Sequence, residues 1–296
     1  MTTKQSALAV SAVNGLLNIA LAVTKLIDGA WCASQALVSD GVHGLADVVS
    51  AVVVIVGIRL SAKESNDDYP YGRDRAECVA ALLLAVLIGL TGAMLGVTGI
   101  RGVFAPTERV SALGGVALWT AMAAVILKEG MFRVTRRAAR KTGSTALMAD
   151  AWHQRADVLS SLGGFLGVCG TQLGWQAADP LASVLISACI LKTAVTIFAD
   201  AVRRMTDHAA DPQKAEILRG CLAEMAGVVA VESLKTRLFG SRWYAEVTIA
   251  VDDGCGSKEA YAIAQTVRQT VQTAFDDLKE CAVHIHPIAV AKSSES

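Results

Sequence analysis

Residues 1–205 alternate between long apolar runs and short polar ones, whereas the remaining residues change to short amphipathic segments. A membrane-crossing helix needs about 20 consecutive, mostly apolar residues. Residues 78–100, CVAALLLAVLIGLTGAMLGVTGI, meet this without a single charge. The stretches 6–27, 34–60, 111–132, 145–173 and 180–202 qualify with more polar content, which predicts six spans. An even number of spans returns both termini to one side. Arg133, Arg136, Arg137, Arg140 and Lys141 follow the fourth span, Lys63, Arg73 and Arg75 follow the second, and Lys4 precedes the first. Basic residues collect on the cytoplasmic side of a membrane. Both termini are therefore expected in the cytoplasm, in a multi-pass protein of the plasma (bacterial inner) membrane. The N-terminal run lacks a short apolar region with a convincing cleavage site and reads as a retained first span.

Beyond the last span the periodicity shortens. PQKAEILRGCLAEM is helical behind Asp211-Pro212, a helix-start signal. VAVESLKTRLF and RWYAEVTIAVDD alternate as two strands joined at Gly240-Ser241. SKEAYAIAQTVRQTVQTAF is an amphipathic helix, and CAVHIHPIAV a last strand that Pro287 should stop. The predicted fold is thus an α-helical membrane protein: a six-helix transmembrane domain over 1–205, a small cytoplasmic α-β-β-α-β domain over 206–290, and a tail over 291–296.

Composition agrees. The chain is 53% hydrophobic and 18% charged, with a mean hydropathy of +0.45, against about a quarter charged in a typical soluble domain. The net charge of zero gives no electrostatic footprint for nucleic acid. The seven cysteines form no C-x-x-C pair and read as reduced, buried small hydrophobes.

Against this apolar background one polar pattern occurs twice. Residues 36–50 read ALVSDGVHGLADVVS and 146–160 read ALMADAWHQRADVLS. Each places D-x-x-H-x-x-x-D within a predicted span. An ionisable residue in hydrocarbon is expensive and needs a partner or a task. Residues four apart share a helix face, so His43 stands beside Asp47 and His153 beside Asp157. If the second and fifth spans face each other, two imidazoles and two carboxylates converge as a tetrahedral set suited to Zn²⁺ or a similar divalent ion. Asp40 and Asp150 lie three residues before their histidines. They are placed either to orient the imidazoles or to make interspan hydrogen bonds. A buried His–Asp hydrogen bond and a metal-free proton relay are the simpler alternatives. A membrane metallohydrolase would call for H-E-x-x-H, which is absent, and no enzymatic activity is expected.

With these motifs the chain resembles the cation diffusion facilitator family of divalent-metal/proton exchangers. The resemblance covers nearly the whole chain. It implies a transport site of His43, Asp47, His153 and Asp157, with no bound cofactor beyond the transported metal. In that family such a set goes with Zn²⁺, and in some members with Cd²⁺, Co²⁺ or Fe²⁺; Fe²⁺ transport, or metal sensing or scaffolding without flux, are the alternatives. The stretch YPYGRDRAE (69–77) is similar to the family's loop between spans two and three, and Arg73 stands where some members carry a metal-binding His. The resemblance also implies a homodimer in contact with lipid, braced by Arg75 and Asp207. His284 and His286 share one face of the last strand. They are either a cytoplasmic metal site or an exposed pair, with Glu232 and Thr248 where histidines are expected in the earlier strands.

Overall fold

The computed structural model describes residues 3–31, 35–104, 115–172 and 178–289. The chain divides into two compact units, Met1–Val202 and Arg203–Ser296.

The first unit is built from α1 (Thr3–Trp31), α2 (Gln35–Ser61), α3 (Ala76–Phe104), α4 (Gly115–Thr142), α5 (Thr145–Gln172) and α6 (Ala178–Met205). These helices are 27–29 residues long, about 40 Å at 1.5 Å per residue. Among the described residues, α1, α3 and α6 are apolar and long enough to cross a membrane by composition. The other three helices supply buried Asp47, Lys128, Asp150, His153 and Asp157.

Small residues let the helices approach. Ala80, Ala81 and Leu84 of α3 pack with Val54 and Ile58 of α2, Ala139 of α4, Ala146, Leu147 and Ala149 of α5, and Ala201 of α6. A Cβ built on Gly57 would lie 2.6 Å from Ala80 Cβ, so α2 and α3 touch there backbone to side chain. Gly92, Gly96 and Gly99 of α3 seat Ile190, Ser187 and Val184 of α6. Large apolar side chains also cover the outside: Leu83, Leu90, Met94, Ile126, Leu185 and Val195 are exposed. Small residues at the helix contacts and apolar ones outside is the arrangement that lipid, rather than water, favours.

Glu77, buried at the start of α3, accepts from Ser61 Oγ at 2.7 Å and Ser144 Oγ at 2.6 Å. It thereby pins the end of α2 and the residue preceding α5. Lys4 joins the same end through Asp74 at 3.0 Å.

The second unit contains α7 (Pro212–Ala223), β1 (Ala230–Phe239), β2 (Arg242–Asp252), α8 (Ser257–Ala274) and β3 (Leu278–Ile288). The sheet order is β1-β2-β3, antiparallel between the first two strands and parallel between the last two. Asp211 caps α7, its carboxylate accepting from Gln213 N at 3.0 Å, with Pro212 in the first turn. Gly240 turns β1 into β2 at φ 64. Trp243, Ala245, Val247, Ile249 and Val251 alternate onto one face and pack with Leu218 and Leu222 of α7 and Val267 and Val271 of α8.

The last strand departs from expectation. It begins earlier, at Leu278, and runs through Pro287, which lies opposite Val251. β3 is an edge strand, where the missing proline N–H interrupts no second ladder. Cysteine burial also departs: Cys78 and Cys281 are buried, but Cys189 and Cys221 are exposed.

Candidate metal-binding site

Two turns of helix build the centre of the first unit. On α5, His153 and Asp157 stand one turn apart; on α2, Asp47 faces them. One ligand atom from each of Asp47, His153 and Asp157 lies within 4.8 Å of the others. All are buried, at 3%, 7% and 8% exposure. His153 Nε2 lies 3.3 Å from Asp47 Oδ1 and 3.4 Å from Ser50 Oγ. Among the described residues, that 3.3 Å approach of His153 Nε2 is the contact of Asp47 Oδ1, which makes no hydrogen bond of good geometry.

Of the repeated pattern, Asp47 of α2 thus lies together with His153 and Asp157 of α5. The side chains of His43 and Asp40 lie outside the described residues; their backbone belongs to α2, with His43 one turn before Asp47. Asp150 is buried, accepting from Gln154 Nε2 at 3.1 Å and Asn14 Nδ2 at 3.2 Å. Asn14 Nδ2 also donates to Thr135 Oγ1 at 2.8 Å, which ties α1, α4 and α5 together.

A residue outside the repeated motif stands in the middle. Lys128 of α4 is 8% exposed, and its Nζ donates to Asp47 Oδ2 and to Asp157 Oδ2, at 2.7 Å each. Its signal was present in the sequence: VILKEGMF places two charges inside a predicted span, and a charge there needs a partner. The adjacent Glu129 faces elsewhere, paired with Arg133 at 2.9 Å and with Arg155. With His153 neutral, two carboxylates and one ammonium leave the centre with one negative charge.

In the second unit, His284 and His286 share the sheet face opposite the helices, as alternation requires. Each has its own carboxylate: His284 Nε2 lies 3.4 Å from Glu246 Oε1, and His286 Nδ1 lies 2.7 and 2.8 Å from the two oxygens of Glu232. Among the described residues they join no cluster of three ligands. Arg75 lies just before α3 and is half-buried. Asp207 lies just after α6 in the left-handed region, at φ 54, with its Oδ1 3.9 Å from Arg237 Nη1.

Comparison with known proteins places both units. Residues 11–206 match the family model described as the cation efflux transmembrane domain, and 210–288 that of the cation efflux protein cytoplasmic domain. The chain is 32% identical to the uncharacterized transporter YdbO of Bacillus subtilis, over 92% of this chain and 94% of that protein. It is 30% identical to metal tolerance protein C1 of Arabidopsis thaliana, over 91% of this chain but 60% of that longer protein. The manganese efflux system protein MneS of Bacillus subtilis is 28% identical, over 86% of this chain and 87% of its own. A solved structure of the putative zinc transporter CzrB covers 27% of this chain and 99% of its own, at 26% identity and a TM-score of 0.26.

Proposed function

The chain belongs to the cation efflux family, and on that premise we propose that it exports Zn²⁺ in exchange for protons through a site between α2 and α5. The ligands would be His43, Asp47, His153 and Asp157. The supporting observation is the buried convergence of Asp47, His153 and Asp157, with ligand atoms within 4.8 Å of one another. Two imidazoles with two carboxylates suit Zn²⁺ and neighbouring late divalent ions better than Mn²⁺. A four-ligand tetrahedral site leaves no open position for hydrolysis, in keeping with carriage rather than catalysis.

Metal binding needs the imidazoles neutral and the carboxylates ionised, so protons and metal compete for the same atoms. Exchange then follows from exposing one site alternately to the two sides of the membrane. In this reading all of α1–α6 cross the bacterial inner membrane, with both termini cytoplasmic. Two copies assemble as a dimer, braced near the membrane surface by Arg75 and Asp207. His284 and His286 respond to cytoplasmic metal.

Mn²⁺ is the second reading, because MneS and MneP, at 28% and 25% identity, are both named manganese efflux proteins. Fe²⁺ would use the same ligands, and a metal sensor without flux would keep the binding alone. The test is metal uptake into proteoliposomes under an imposed pH gradient, wild type beside Asp157→Ala, with Zn²⁺, Mn²⁺ and anaerobic Fe²⁺ in parallel. Gradient-driven Zn²⁺ uptake by the wild type alone supports the proposal. Uptake of Mn²⁺ but not Zn²⁺ selects the second reading. Wild-type Zn²⁺ flux in Asp157→Ala removes the site.

A further inference from the structure

Lys128 has no place in the transport reading so far, yet it is bonded to two of the four proposed ligands. Its Nζ sits 2.7 Å from both Asp47 Oδ2 and Asp157 Oδ2, so it occupies the very carboxylates that a metal would need. The third ligand of the cluster, His153, lies within 4.8 Å of the same carboxylates. A metal ion held at about 2 Å from carboxylate oxygens would sit beside a full positive charge in a low-dielectric setting, where like charges repel strongly. One of the two cations must give way.

We propose that Lys128 is a tethered counter-cation of the transport site. It holds Asp47 and Asp157 together when no metal is bound and is displaced from them each time a divalent ion enters. This rests on the preceding assignment of Asp47 and Asp157 as ligands. The side chain suits the role: lysine is a point charge on a flexible four-carbon stem, without the fixed planar fork that would lock an arginine to its partners. The need for it follows from the centre itself. A metal-free site with two buried, facing carboxylates would be held open by their repulsion, and buried charges persist only when paired. An ammonium that stays charged lets the emptied carrier close and return. Release of metal and return of the metal-free site then become steps in which Lys128 offsets the carboxylates while the imidazoles carry the protons, and metal affinity is lowered by the competition.

The experiment compares wild type, Lys128→Met and Asp157→Ala as full chains in lipid. It measures the Zn²⁺ dissociation constant, net Zn²⁺ uptake, and exchange of labelled Zn²⁺ with Zn²⁺ held on both sides. Exchange bypasses the return of the empty carrier, whereas net uptake requires it. Lys128→Met should bind Zn²⁺ at least tenfold more tightly, and its ratio of net uptake to exchange should fall at least tenfold. Unchanged or weaker binding, or equal loss of uptake and exchange, would overturn the proposal and leave Lys128 a structural tie. If Lys128→Met does not fold, the wild type supplies the answer: Zn²⁺ should increase carbamylation of Lys128 by cyanate, read by mass spectrometry, and no increase overturns the displacement. Wild-type Zn²⁺ affinity in Asp157→Ala would instead sink the underlying site assignment, and the counter-cation with it.

Discussion

Replacing Asn14 by Ala should loosen the helical unit even though Asn14 is no candidate ligand. The side chain is buried, and its Nδ2 donates both to Thr135 Oγ1 at 2.8 Å and to Asp150 Oδ2 at 3.2 Å. One amide therefore links α1 to α4 and α5. Interhelical hydrogen bonds in membrane proteins average about 0.6 kcal/mol in double-mutant cycles, and that value suits the amide–hydroxyl bond. The bond to Asp150 should be worth more, about 1.5–3 kcal/mol if the carboxyl is charged. Without it, Asp150 Oδ2 retains the donation from Gln154 Nε2 at 3.1 Å. The two contributions together predict a loss of about 2–4 kcal/mol. Thermal unfolding of the purified protein in detergent, followed by the loss of monodisperse protein, gives the single-variant effect. A double-mutant cycle with Asp150→Ala isolates the Asn14–Asp150 term, which should reach about 1 kcal/mol or more. Wild-type stability of Asn14→Ala, or a coupling indistinguishable from zero, would refute the reasoning. It would mean that packing, not the polar tie, holds α1 in place.

Three further outcomes follow from the same physics. Gly96→Leu should lower thermal stability by about 1–3 kcal/mol through overpacking, since even a Cβ there would stand 2.9 Å from Ser187 Oγ of α6; an unchanged melting temperature would show that α3 and α6 can separate freely. In the cytoplasmic domain, burial alone would raise the Asp277 carboxyl, but hydrogen bonds from Lys214 and Trp243 Nε1 hold it below its ordinary value. A depressed carboxyl contributes stability above its unfolded pKa, near 4, that is lost as pH falls through the folded value. Acid unfolding of Asp277→Asn should accordingly show a shallower dependence on pH in this region than wild type, and identical curves would remove the group from the acid limb. Replacing His284 and His286 together by Ala should reduce the Zn²⁺ bound per chain while sparing binding at the membrane site, measured by equilibrium dialysis; unchanged stoichiometry would leave the pair as partners of Glu246 and Glu232 alone.

Much of this protein is written in one dimension. Uninterrupted apolar length predicts α3 with no help from its neighbours, because hydrocarbon tolerates only backbone that satisfies its own hydrogen bonds. Period-two alternation in RWYAEVTIAVDD places Trp243, Val247 and Ile249 on the face that packs against α7 and α8. Repetition of D-x-x-H-x-x-x-D singles out Asp47, His153 and Asp157 because helical periodicity carries residues four apart to one face. Relations between segments are different in kind. Nothing in a local pattern says that α4 would thread Lys128 between the carboxylates of α2 and α5, since a charge in a predicted span announces only that it has some partner, not which. Nor could it show that Asp150 would meet Asn14 across the bundle, or that Pro287 would fall on an open edge where β3 continues past it. Those outcomes depend on which helix or strand packs beside which, and on small residues such as Gly57 and Gly96 that set how closely they approach. The sequence by itself determined the elements, their faces and the chemical types gathered there; tertiary packing decided who is paired with whom, because pairing is a property of distances between segments that no single segment encodes.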